Sequence, residues 1–223
     1  MSTKPIRFEL SRRQVLCGMG ATVAAAPFGG TVWANQDAEL YDPVPPPDSV
    51  FLRMLSTHAE GKVQIGPASF EAGTEGQISP YQVLKGGTWP MRAGDLSLDL
   101  KLAPGSSYSL ALVSEAPGYV LFEDEIISDA RKCGLMLYNL SASPARLFVP
   151  SKDKEIPIIQ GLAPMKHKTR AVNAITVDLA VSADGVEITR FPKIKLQRRS
   201  HFSFVVAGAA GAYTAESAEN ETV

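Results

Sequence analysis

Leu96-Ser97-Leu98-Asp99-Leu100-Lys101-Leu102 places four leucines on one side of an extended chain and polar side chains on the other. Side chains alternate across a strand with a period of two, so this stretch predicts a β-strand with one face buried and one in water. Ser107-Tyr108-Ser109-Leu110-Ala111-Leu112 and Val177-Asp178-Leu179-Ala180-Val181 repeat the pattern. Ala103-Pro104-Gly105-Ser106, Ala116-Pro117-Gly118 and Ala183-Asp184-Gly185 supply turn chemistry between such stretches. No window holds a helical period. The chain reads as all-β, with antiparallel pairing, half-buried sheets and short turns.

The pattern occurs twice. Leu100-Lys101-Leu102 with Tyr108-Ser109-Leu110 returns as Ile194-Lys195-Leu196 with Phe202-Ser203-Phe204, 94 residues later. Phe51-Leu52-Arg53-Met54-Leu55-Ser56 matches Met136-Leu137-Tyr138-Asn139-Leu140-Ser141 at an offset of 85. A unit of about ninety residues is the size of one small β-sandwich. The expected layout is two tandem antiparallel β-sandwiches of immunoglobulin-like or carbohydrate-binding-module-like type, residues 49–125 and 126–207, joined near Glu123-Asp124-Glu125. Glu123–Glu125 reads as a solvated linker, and residues 208–223, rich in Ala, Gly, Ser and Glu, as a flexible tail.

Ahead of these units, Ser11-Arg12-Arg13-Gln14-Val15-Leu16 opens a weakly apolar run that closes at Val32-Trp33-Ala34. Paired arginines before such a run read as a twin-arginine export signal, residues 1–34, cleaved after Ala34. Gly18, Gly20, Pro27, Gly29 and Gly30 break the run too often for a good membrane-spanning helix. Residues 35–48, with Pro43, Pro45, Pro46 and Pro47, form an extended lead-in. The compartment expected is the periplasm, where nucleic acid and cytosolic cofactors are not partners. Cys133 is the one cysteine beyond the leader, so the core must hold without an internal disulfide. It opens an apolar strand and reads as buried and structural.

Charge divides at the same boundary. Residues 35–125 carry 5 basic and 13 acidic side chains, whereas residues 126–223 carry 13 basic and 9 acidic. Lys166, Lys168 and Arg170 cluster around His167, and Arg198 and Arg199 sit at a turn. These five are the candidate contacts for an anionic polysaccharide or an acidic partner. Tyr41, Tyr81 and Trp89 are the aromatic candidates for a sugar or partner contact, with Tyr119 and Tyr138 also considered. Tyr108, Phe202 and Phe204 share faces with core residues.

Catalytic chemistry finds little support. Gly105-Ser106-Ser107-Tyr108-Ser109 resembles a hydrolase serine motif, but it runs straight into an alternating strand and reads as a hairpin. There is no Gly-x-Ser-x-Gly elbow, and His58, His167 and His201 stand apart from one another. Neither zinc nor calcium ligand spacing is present, so no metal, cofactor or catalytic residue is assigned.

Ala38-Glu39-Leu40-Tyr41-Asp42-Pro43, followed by prolines and Ser49-Val50-Phe51-Leu52-Arg53, resembles the start of the AlgF-type alginate O-acetylation proteins. Leu100-Lys101-Leu102 with Tyr108-Ser109-Leu110, and Leu137-Tyr138-Asn139-Leu140-Ser141, are similar as well. The twin-arginine leader and the Lys166-to-Arg170 cluster depart from that pattern. The resemblance implies a non-catalytic periplasmic accessory or adaptor for O-acetylation of an exported polysaccharide, alginate or a related polymer. It implies as partners a membrane acyl-transfer protein and periplasmic acetyltransferases, with the anionic polysaccharide itself as a further contact. The alternatives are a polysaccharide-binding sandwich module or a periplasmic chaperone-like protein.

Overall fold

The first strand, β1 (Ser49–Leu55), takes part in two pairings that shape the fold. It runs antiparallel to β4 (Gln82–Lys85) and parallel to β7 (Ser107–Leu112). With β8 (Tyr119–Glu123) these make a four-stranded sheet of order β4-β1-β7-β8. The remaining strands of this half are β2 (Gly61–Ile65), β3 (Ala68–Ala72), β5 (Gly87–Ala93) and β6 (Leu96–Leu102). They form a second sheet, β3-β2-β5-β6. Leu52, Met54, Leu110, Leu100, Leu102 and Met91 meet between the two sheets, so the leucine face of β6 lies toward a core as its alternation requires.

The structure, a computed structural model, describes residues 45–55, 61–72, 77–114, 117–151, 154–209 and 212–220. The leader, most of the lead-in and Tyr41 lie outside them.

The next eight strands repeat the first eight. They are β9 (Lys132–Ser141), β10 (Ala145–Val149), β11 (Ile156–Leu162), β12 (Lys166–Asn173), β13 (Thr176–Ala183), β14 (Val186–Lys195), β15 (His201–Ala209) and β16 (Ala212–Glu219). Their sheets are β12-β9-β15-β16 and β11-β10-β13-β14, the first-half orders with every strand number raised by eight. Even the parallel pair recurs, as β9 beside β15. All other pairings among the described residues are antiparallel. Leu135, Leu137, Leu179, Val181, Phe204 and Val206 fill the second core, with Cys133 buried among them.

The register refines the internal repeat. Phe51 N donates to Ser106 O at 3.1 Å, and Gly134 N donates to Ser200 O at 3.0 Å. Ser106 and Ser200 keep the 94-residue offset, but Phe51 and Gly134 are 83 apart rather than 85. A two-residue slip leaves every side chain on its original face, which is why the shorter sequence match misses it. Arg53 therefore occupies the place of Met136, and Leu55 that of Tyr138.

Two expectations are corrected. Residues 212–219 are not a loose tail: β16 pairs with β15 from Phe202↔Glu219 to Ala209↔Ala212. Tyr213 and Ala215 turn one face of β16 onto the second core, an alternation hidden by its small residues. Nor is the whole of Glu123-Asp124-Glu125 a solvated linker, because Asp124 is buried and its N–H donates to Ser107 O at 2.8 Å. Ending the chain after Ala209 is expected to strip an edge strand from the second sandwich. Thermal unfolding followed by circular dichroism should show that sandwich melting early or without cooperativity; an unchanged transition would restore the tail reading.

Candidate functional site

In a sandwich, the outer face of each sheet ordinarily meets water. Here two outer faces meet each other. Leu55, Ala111 and Phe122 from the β4-β1-β7-β8 sheet pack with Met136, Tyr138, Leu140, Val205 and Ala207 from the β12-β9-β15-β16 sheet. Phe122 and Tyr138 have ring centroids 5.4 Å apart, and His167 stacks on Tyr138 at 5.6 Å. This seam joins the two sandwiches within a single compact unit.

Arg53, 1% exposed, lies at the seam's centre. Its Nε donates to Ser109 Oγ at 2.8 Å, and its two terminal nitrogens reach Asn220 Oδ1 (2.8 Å), Tyr138 Oη (2.9 Å) and Ser203 Oγ (2.7 Å). The guanidinium also lies over the Tyr81 ring, 4.4 Å from its centroid. Asp124 supplies the compensating negative charge, and three hydroxyls donate to it. They are Tyr81 Oη (2.7 Å), Ser109 Oγ (2.7 Å) and Tyr138 Oη (2.6 Å). Burial, reinforced by the Asp124 charge and opposed by Arg53, pushes both phenols above the ordinary tyrosine range, so they remain protonated donors.

The duplication is written into this network. Ser109 and Ser203 are equivalent positions, and so are Asp124 and Asn220, whose N–H groups donate to Ser107 O and His201 O at the same 2.8 Å. Ser109 Oγ donates to Asp124 at 2.7 Å, and Ser203 Oγ donates to Asn220 at 2.7 Å. Each half brings the same hydroxyl-to-Asx bond, and Arg53 reaches both.

The predicted site residues scatter. Tyr81 is no sugar platform: its ring is under Arg53 and its hydroxyl is bound to Asp124. Tyr138 is fully buried. Trp89 lies on β5 opposite Leu100 rather than in a loop, half-buried, with Nε1 donating to Lys85 O at 2.8 Å. One side of its indole lies against Gly66, where an added Cβ would fall 2.3 Å from Trp89 Cε3. Beside it, Pro46, Pro67, Val83 and Lys85 line a groove of about 360 Å³.

Lys166, Lys168 and Arg170 alternate along β12, an edge strand, and all three are exposed. They share a strand face with Val172, which packs on the second core. Charges on the inward side of an edge strand keep other strands from pairing there, which accounts for the cluster without a ligand. Arg198 and Arg199 occupy the turn before β15 at the opposite end of the sandwich from Lys166. Arg198 joins Arg131, Lys132, Asn173 and Ala174 around a polar pocket of about 390 Å³. Neither Arg131 nor Lys132 is marked by any sequence motif; only their neighbours in space give them meaning.

Nucleophile geometry is the remaining question. Ser109 is 0% exposed and committed to Arg53 and Asp124. Ser106 Oγ donates to Glu123 Oε1 at 3.0 Å; the turn that carries it is not the hairpin expected, because β6 and β7 belong to different sheets and the chain crosses from one to the other there. Cys133 Sγ is 3.5 Å from Ser200 Oγ, and burial raises its pKa. His201 Nε2 accepts the Ile127 N–H at 2.9 Å, so its proton resides on Nδ1, and its ring covers Gly134. His58 lies outside the described residues. No group of three or more His, Cys, Asp or Glu side chains that could hold a metal ion occurs among the described residues, and no helix there is long and apolar enough to cross a membrane.

Fold and seam together define a tandem β-sandwich protein whose polar centre is closed to solvent. A family profile described as alginate O-acetyl transferase AlgF matches residues 25–203. The chain belongs to the AlgF family. It is 25% identical over 200 residues to alginate biosynthesis protein AlgF of Azotobacter vinelandii, covering 89% of this chain and 91% of that one. It is 27% identical over 191 residues to the protein of the same name from Pseudomonas aeruginosa, covering 84% and 87%. A solved structure of the C-terminal domain of AlgF from P. aeruginosa covers 40% of this chain and 99% of that one, at 21% identity and a TM-score of 0.35.

Removing one member of a buried charge system exposes the cost of the other. Arg53→Met copies the second half's Met136 but leaves Asp124 without its cation, an expected loss of about 3–5 kcal/mol in urea unfolding. Arg53→Met/Asp124→Asn copies Met136 and Asn220 together and should recover part of that loss. A double variant no better than the single one would show that charge balance is not what holds the seam.

His201 gives a pH signature. Burial, then the Arg53 charge, lowers its folded pKa below the ordinary 6.5. The unfolded state therefore binds more protons, so the contribution of neutral His201 is complete above about pH 6.5 and is lost as pH falls toward the folded value. His201→Gln should flatten that part of the stability–pH curve; an unchanged slope would assign the titration elsewhere.

Proposed function

We propose that this chain is a non-catalytic periplasmic accessory protein for O-acetylation of an exported polysaccharide, alginate or a close relative, and that it bridges acetyltransferase components. The observation that carries the reading is the disposition of its hydroxyls within an AlgF-family chain. The polar cluster around Arg53 and Asp124 is buried. Ser109 inside it cannot reach a polymer. The more accessible Ser106 has a carboxylate partner in Glu123 but no imidazole within hydrogen-bonding distance among the described residues. A serine of that kind lacks the base that acyl transfer needs.

What the fold offers instead is surface. Two sandwiches held in fixed relation present loop clusters and sheet edges with opposite charge balance, suited to holding two different partners. The membrane acyl-transfer protein and the periplasmic acetyltransferases are the partners this reading names, and the export leader is consistent with their compartment.

A strain lacking the gene is expected to export polysaccharide in normal yield without O-acetyl groups, read by proton NMR. Complementation with the Ser106→Ala/Ser107→Ala variant should restore acetylation as fully as the natural chain. Normal acetylation in the deletion strain would remove the chain from the pathway, and failure of the serine variant alone, with folding intact, would make it an enzyme.

A further inference from the structure

The described sheets end in the edge strands β4, β8, β3, β6, β12, β16, β11 and β14. An edge leaves backbone donors and acceptors open to another strand, and most of these edges are short, charged or broken. β3, β4 and β8 have four or five residues. β12 carries Lys166, Lys168 and Arg170, and β11 is interrupted by Pro157, a left-handed Gly161 and register shifts. β16 is regular, but its charged side chains are Glu216 and Glu219, both acidic.

β6 is different. It pairs with β5 from Gly87↔Leu102 to Ala93↔Leu96 without a register shift. Gly66 N donates to Pro90 O at 3.1 Å, so Pro90 turns its carbonyl to β2, while its neighbours Trp89 and Met91 turn theirs to β6. Their partners there are Leu100 and Leu98. The N–H and C=O groups of Ser97, Asp99 and Lys101 therefore face the open edge, and all three residues are exposed. Asp99 and Lys101 have no ion pair among those of the described residues. The second half shows what closes such an edge. At the 94-residue offset Lys193 stands where Asp99 does, with a left-handed φ of 53° and its N–H turned in to Asp178 Oδ1 at 2.8 Å. Pro192 before it has no N–H to offer. β6 has neither device.

We propose that β6 pairs with β6 of a second copy of this chain, antiparallel about a two-fold axis at Leu100. Only outward-pointing residues can exchange hydrogen bonds, so Ser97, Asp99 and Lys101 must face one another across the axis. Centring on Leu100 sets Asp99 opposite Lys101 of the partner subunit and Lys101 opposite the partner's Asp99. Both are hydrogen-bonded pairs, and both join opposite charges. Centring on Asp99 would set that carboxylate against the partner's Asp99. Centring on Leu98 would draw Gly94, whose left-handed φ of 56° closes the β5–β6 turn, into the pairing. On the inner face Leu98, half-buried in one chain, gains Leu102 of the partner subunit beside it. The contact uses an edge of the first half and not its seam face, and it is independent of the function proposed above. Residues 98–102 make a small interface, so the dimer is expected to be reversible.

The test is analytical sedimentation of the whole exported chain from about 1 to 100 µM, at about 0.15 M salt so that charges more than about 8 Å apart are screened. A concentration-dependent dimer is expected. Asp99→Lys and Lys101→Asp each set like charges opposite one another and should raise the dissociation constant tenfold or more. Mixing the two variants should give a heterodimer. Asp99→Lys/Lys101→Asp in one chain keeps the charges matched and should restore the homodimer to within about threefold of the natural chain. Both side chains are exposed, so thermal unfolding should be unchanged in every variant. Should a single variant unfold, the natural chain and the double variant still decide. A chain that stays monomeric throughout, or a dimer indifferent to the single variants, would overturn the proposal. So would single variants that dissociate without recovery in the mixture or the double variant, because the register would then be wrong.

Discussion

A guanidinium without water is the constraint on which the molecule is organised. Moving such a cation out of solvent costs several kcal/mol unless charge and hydrogen bonds replace what water supplied. Around Arg53 the replacements come from six places: Tyr81, Ser109, Asp124, Tyr138, Ser203 and Asn220. Three belong to the first half and three to the second. Neither sandwich can satisfy the arginine alone, so burying it requires both. The parallel register of β1 on β7 sets Arg53 beside Ser109, and that of β9 on β15 sets Met136 beside Ser203.

With its centre occupied in this way, the molecule has only its periphery for recognition. The seam uses the outer faces of two sheets, leaving the opposite sheets, the edge strands and the loop ends. The seam fixes the distance between those surfaces, which under the proposed function would hold a polymer near the machinery that modifies it.

The alternating strands could be read from the chain because one-sided burial imprints a period of two. β6 is the clearest case, with its leucines inward and Ser97, Asp99 and Lys101 outward. The seam could not be read in the same way. β9 is buried along nearly its whole length, with Cys133, Leu135 and Leu137 toward the second core and Met136, Tyr138 and Leu140 toward the seam. A strand covered on both faces carries no clear period of two, so its second contact leaves no separate mark in the sequence. Asp124 was masked by its two glutamate neighbours, and Tyr81 by the Ser79-Pro80 before it. The basic pocket was half legible: Arg198 and Arg199 stood out at a turn, but Arg131, Lys132 and Asn173 join them only through the fold.

The exchange of Arg53 for Met136 at equivalent positions also decides who can pair with whom. A sheet that carried the arginine on both sides would confront two cations across its midline, and one that carried methionine on both would have no donor for the paired serine and Asx groups. First halves thus disfavour first halves, and second halves gain nothing from second halves. The two repeated sandwiches are a matched pair, and because they are on one polypeptide the match is made within the molecule at high effective concentration. The differences between equivalent positions, Arg53 against Met136 and Asp124 against Asn220, thus favour the pairing of unlike halves.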